Sequence, residues 1–283
     1  MLNTMRILLF LILLLPSLRG SGQVLKLRER SATALTGSAF ARSVSDSTIS
    51  QADRERLIYE EIRKGNVPAF YRKLVTVTDS ARIGDRVYRI EYDVLPDYLA
   101  IGSDADLFYC PMTPGLAQKV GRLTRSVLPT RKMSDRIYRA AAVKMIPEPI
   151  PPTPAMATVP VFLEHTRLVR EQRAKTISEF PLGSLVAGNK KDIVLSDKMY
   201  RDGKLRVVIY GWHQADGRPI QPLYNGHTAD WADYSHGVRL ISRQVRVNGR
   251  KTRIGKVLRS EKLHPLLSDE GPLEFIAYPA KQL

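Results

Sequence analysis

Apolar residues recur along this chain with two periods, and the switches between them outline its elements. From Ser50, SQADRERLIYEEIRKGN predicts a helix, with Ser50 as N-cap, acidic residues near its start and Lys64-Gly65 closing it. FYRKLVTVTDS and RVYRIEYDVLPDYLAIGSD then predict strands. In the second, Val87, Arg89 and Glu91 alternate with Tyr88, Ile90 and Tyr92. LAQKVGRLTRSVL returns to helical spacing and Pro129 stops it. SDRIYRAAAVKM predicts a further helix capped by Ser134, with Arg131 and Lys132 exposed just before it.

Beyond a proline-rich run, VFLEHTRLVREQRAKTI predicts a helix with His165 as a helix-face residue beside Glu164 and Arg167. Strands are expected in SLVAGNKKDIVLS, KLRVVIYGWH and GVRLISRQVRVNG, with Lys190, Lys191 and Asp192 at a solvated hairpin tip. Asn248-Gly249 predicts a tight hairpin turn, because both residues tolerate the left-handed region. A short helix around KVLRSEKL and a last strand LEFIAYP complete the chain. The fold class expected is α+β: a mixed N-terminal half of helices and strands and a mainly β C-terminal half.

Composition divides the chain further. Residues 1–22 pair a positive start at Arg6 with an unbroken apolar run from Ile7 to Leu15, then Gly20 and Gly22 ahead of a cut before Gln23. That pattern predicts a cleaved secretory signal; the run is shorter than the ~20 residues of a membrane span, and a short signal anchor is the alternative. No later stretch is apolar enough to span a bilayer. Residues 23–50, rich in Ser, Ala, Thr and Arg, are expected to form a flexible leader. Residues 51–146 form an N-terminal α+β region, 147–160 a Pro-rich connector, and 161–283 a mainly β domain. A surface loop within one domain is the other reading of the connector.

Charge and cysteine usage narrow the functions. Lys and Arg number 44 against 28 Asp and Glu, a formal net charge of +16. Such a surplus attracts polyanions. Behind an export signal, anionic envelope polymers fit better than nucleic acid, which is not expected as a partner. Cys110 is the only cysteine, so no intrachain disulfide forms and cysteine-rich zinc sites are excluded.

Candidate chemistry concentrates in YGWHQADGRPIQPLYNGHTADWADYSHGVRL, which holds three of the five histidines and both tryptophans. It reads as a long irregular connection, a frequent carrier of function. HQAD and HTAD each place a carboxylate three residues after a histidine. His213, His227, Ser235, His236, Asp216 and Asp230 are the candidate catalytic residues. Trp212, Trp231, Tyr234 and Arg239 are candidate substrate contacts, the guanidinium of Arg239 suiting a substrate carboxylate. His213, His227 and His236 offer enough imidazoles for zinc, although their spacing matches no zinc motif; the cofactor expectation is therefore none or zinc. Ser235 and His236 are adjacent and point apart in a strand, so Ser235 requires another histidine as its base.

The stretch SHGVRL resembles the Ser-His-Gly-Cys-x-Arg signature of the L,D-transpeptidase family, which cross-links or trims peptidoglycan stem peptides through a cysteine thioester. Ser235, His236 and Gly237 match it position for position. Val238 stands where the nucleophile belongs, and Arg239 follows one residue early. The resemblance implies a wall-peptide binder without thioester chemistry. YGWH, PIQPL and YSHG also resemble blocks in uncharacterised secreted bacterial proteins. The expected function is an exported, secreted or periplasmic cell-envelope protein that binds or processes peptidoglycan through the His213–Arg239 loop. Three forms stay open: an inactive transpeptidase-like protein, a zinc-dependent cell-wall hydrolase, and a non-catalytic binder of anionic envelope polymers.

Overall fold

A computed structural model describes residues 23–279; the expected signal at 1–22 lies outside the described residues. The architecture is α+β, with six α-helices among the described residues: α1 (Gly37–Ser43), α2 (Gln51–Arg63), α3 (Pro114–Leu123), α4 (Arg131–Ala140), α5 (Val159–Ala174) and α6 (Ile254–Leu258). None is long and apolar enough to cross a membrane.

Strands β1 (Val75–Ile83) and β2 (Arg86–Val94) pair antiparallel, and the short β3 (Ser126–Val127) lies near them. Strands β4 (Lys191–Ile193), β5 (Ile209–His213), β6 (Pro219–Tyr224) and β7 (His236–Gly237) form a small sheet in the order β6-β5-β4-β7. Strands β8 (Ile241–Val247) and β9 (Arg250–Arg253) form the predicted hairpin, with Asn248 and Gly249 at φ of 49° and 77° in its turn.

The larger sheet draws on both sides of the Pro-rich run. β2 pairs with β8, Ile90 opposite Val247 and Tyr92 opposite Val245, while Ile241 of β8 also pairs with Val127 of β3. Residues 51–146 and 161–283 are thus joined by main-chain hydrogen bonds, and their apolar side chains meet in one core. The Pro-rich segment is held in place by Tyr234, whose hydroxyl accepts from the Ile150 amide (2.8 Å) and donates to the Ile150 carbonyl (2.9 Å).

Three expectations are corrected. Residues 23–50 are not a loose leader: Leu25 and Phe40 are buried in the core, the Leu25 amide donates to the Arg72 carbonyl, and Thr36 caps α1. The α4 cap is Thr130, one turn before Ser134, with its hydroxyl accepting from the Met133 amide. Residues 273–279 form no strand. Side chains anchor them instead: the Tyr278 amide donates to Gln118, and its hydroxyl links the Val194 carbonyl to the Val208 amide.

Candidate functional site

The histidine-rich loop contributes to two separate places, divided by β5. On one side His213, at the end of β5, is held by α4. Its Nε2 lies 2.9 Å from Asp135 Oδ1, the same oxygen that accepts from the Tyr210 hydroxyl at 2.8 Å. The Tyr138 ring stacks on the imidazole with centroids 4.5 Å apart. Burial alone would raise the Asp135 pKa, but the hydrogen bonds from His213 and Tyr210, with Arg139 nearby, hold it below the usual carboxylate range. These residues floor a cavity of about 410 Å³ whose mouth carries Arg139, Lys144, Asp216 and Arg218. Asp216 binds Arg218 at 2.7 Å, so it is a rim residue and does not orient His213. His213 is itself 3% exposed, so its ring supports the cavity from below, with Nε2 committed to Asp135.

On the other side lies a buried polar cluster. Parallel pairing of β7 with β4 sets His236 opposite Lys191 and Gly237 opposite Asp192. No side chain fits at Gly237, where a Cβ would overlap the Tyr98 ring and lie 2.7 Å from Lys190 Cβ. His236 is fully buried, its Nε2 is 3.7 Å from Asp233 Oδ2, and neither ring nitrogen has a hydrogen-bond partner among the described residues. Burial pushes its pKa down to about 4 against the pull of Asp233. Burial would raise the Asp233 pKa, yet His236, the Ser235 hydroxyl at 2.5 Å and Lys191 bring it to about 2. The Trp231 indole also donates to Asp233, at 3.2 Å, and His227 stacks on that indole at 5.2 Å.

Lys190 and His165 complete this cluster. Lys190 Nζ sits 2.8 Å from His165 Nδ1 and donates to the Tyr234 carbonyl at 2.6 Å. Burial lowers Lys190 to about 7, opposed by Asp233 and Asp97, and burial with Lys190 lowers His165 to about 2. Trp212 packs edge-on to His165 and Tyr234, with Lys191 Nζ 5.2 Å from the centroid of its ring. Its φ of 56° is unusual for so bulky a residue. The indole nitrogen and His165 Nε2 are likewise buried without partners among the described residues.

Several expected roles fail on burial. Arg239 is 1% exposed, donates to the carbonyls of Leu95 and Val186, and lies 4.1 Å from the centroid of the Tyr98 ring. It is a core cation that opposes the burial-raised pKa values of Asp97 and Asp192, out of reach of a substrate carboxylate. Trp212 and Tyr234 are buried and offer no ligand platform; Trp231 is half-buried with its indole N–H committed to Asp233. Ser235 closes a local turn on Asp233 and pairs with no histidine. Asp230 is exposed, and its carbonyl accepts from Gln51. The three expected zinc ligands are not gathered: His213 faces Asp135, His236 faces Asp233, and His227 lies on Trp231. No group of three or more His, Cys, Asp or Glu side chains among the described residues is arranged to hold a metal ion.

The loop alone did not reveal His165, Lys190, Asp135 or Tyr138. His165 is wholly buried, on the helix face turned to the core, and Lys190 is no solvated tip. A signal for His165 was present: Phe162, His165, Thr166, Val169 and Arg173 follow one helical stripe, and all five are buried. Cys110 is close enough to Lys190 to feel its charge, but burial pushes the thiol well up and it donates to the Phe108 carbonyl. Val238 is buried in the core. Comparison with known protein families, with curated proteins and with solved structures finds no match for this chain.

Proposed function

We propose that this is an exported cell-envelope protein that binds peptidoglycan, or a like anionic envelope polymer, at the cavity floored by His213. The signal-like first 22 residues and the net charge of +16 support this placement. The observation that carries the reading is the set of exposed cations Arg139, Lys144 and Arg218 around a cavity whose floor is fixed by the Asp135–His213 pair. Wall stem peptides carry carboxylates, which such cations meet through charge-assisted hydrogen bonds. The local likeness of SHGVRL to the L,D-transpeptidase signature agrees with a wall-peptide ligand, and Val238 agrees with binding without thioester chemistry. Hydrolysis is a second reading, favoured by the Asp135–His213 pair alone: a carboxylate that fixes an imidazole makes a general base for water.

Co-sedimentation with purified sacculi, and assay of soluble fragments released from them, tests both readings. Wild type is expected in the pellet, and His213→Ala or Arg139→Gln/Lys144→Gln/Arg218→Gln is expected to weaken retention about tenfold or more, in line with one charge-assisted bond of ~1.5–3 kcal/mol. Fragment release that disappears in His213→Asn supports turnover. Retention equal in wild type and both binding variants overturns the proposal.

A further inference from the structure

A second cavity, which shares no lining residue with the one floored by His213, is built from charge. It is a groove of about 880 Å³ between the Gln23–Lys26 segment, the end of α3 and the β8–β9 hairpin. Six cations line it: Lys26, Arg125, Arg243, Lys251, Arg253 and Lys256. No Asp or Glu lies among its lining residues, and none of the six cations forms an ion pair among the described residues. Elsewhere on the surface exposed arginines find carboxylates, as in Arg131–Asp269 and Arg167–Glu164. Here burial lowers the Arg243 pKa, and the like charges of Arg122 and Arg253 lower it further, so the cations repel one another. An anion in the groove relieves that repulsion.

Arg243, Arg253 and Lys256 also border an adjoining cavity of about 540 Å³. Its other walls are chiefly apolar, with Val127, Ile254, Leu258 and Ile276. A free polyanion makes use of the first cavity only. A phosphate carrying hydrocarbon makes use of both. The geometry points to an anionic-lipid site: the phosphate head group of an acidic phospholipid sits among the six cations, and the first part of its acyl chain lies against Val127, Ile276 and Ala277.

The test is co-sedimentation with phosphatidylcholine vesicles made with and without phosphatidylglycerol, alongside binding of inorganic phosphate. Wild type should bind only the vesicles that contain phosphatidylglycerol. The variant Lys251→Gln/Arg253→Gln/Lys256→Gln alters only exposed side chains. At about fivefold per cation near an anionic surface, it should bind on the order of 100-fold more weakly. Lys198→Gln/Arg201→Gln, which removes exposed cations outside the groove, should bind nearly as wild type. Ile276→Ser should weaken vesicle binding while leaving phosphate binding in place. The proposal is overturned if the groove variant binds vesicles like wild type. It is equally overturned if the control variant loses as much affinity, since net charge then accounts for binding. Phosphate binding without vesicle binding overturns the lipid as the source.

Discussion

His236 offers a direct measure of how the buried cluster is held. The imidazole is enclosed, unpartnered at both nitrogens, and faced by Asp233, Lys191, His227 and Lys190. Its pKa falls from 6.5 to about 4 on folding, with burial the main cause. As pH drops through that interval the unfolded chain takes up a proton that the folded chain refuses. Stability is therefore complete above pH 6.5 and is lost as pH falls toward 4, by about 3 kcal/mol from this one residue. His165 and His227, both lowered, act in the same direction, while Asp97 and Asp192, both raised by burial, act in the opposite one. All four remain in His236→Asn, so the difference between the two proteins reports His236 together with its coupling to Asp233. The substitution lowers stability by a constant amount through lost packing, but Asn does not titrate. Urea unfolding followed by the fluorescence of Trp212 and Trp231 gives stability at each pH. Wild type should lose about 3 kcal/mol more than His236→Asn between pH 6.5 and 4. Equal losses would refute a neutral, buried imidazole.

Two further outcomes follow from the core. Arg239→Leu leaves the carbonyls of Leu95 and Val186 and the buried Asp97 and Asp192 without their cation, and should cost about 3–5 kcal/mol in urea unfolding; a fully stable variant that loses only ligand affinity would restore a substrate role for Arg239. Cys110 should react with a thiol reagent only at the rate of unfolding, since it is 2% exposed and its thiol is held protonated; fast labelling of the folded protein would contradict that burial.

The separate elements were readable because their causes are local. Ser50 accepts from the Asp53 amide at the start of α2, as its capping position predicts. The alternation of 86–92 became β2, and Asn248-Gly249 became the hairpin turn, because backbone preference and period depend on neighbours a few residues away. The loop with three histidines stands out in the sequence, and one of them, His213, lines a cavity. Its partner Asp135 stood 78 residues earlier, in a segment that reads as an ordinary amphipathic helix.

What the sequence determined by itself is therefore several of the longer elements, the α+β class, the single thiol and the large positive charge. Only the tertiary structure decided which charges are spent inside and which face solvent. Arg239 and Lys190 look like surface cations in sequence and are core residues. Arg243 and Arg253 look no different, yet they stand without a carboxylate over a groove. Burial and ion pairing depend on contacts between residues far apart in the chain, so no local pattern fixes them. The same holds for the order of strands: β2 meets β8 across roughly half the sequence because both carry an apolar face that one shared core covers.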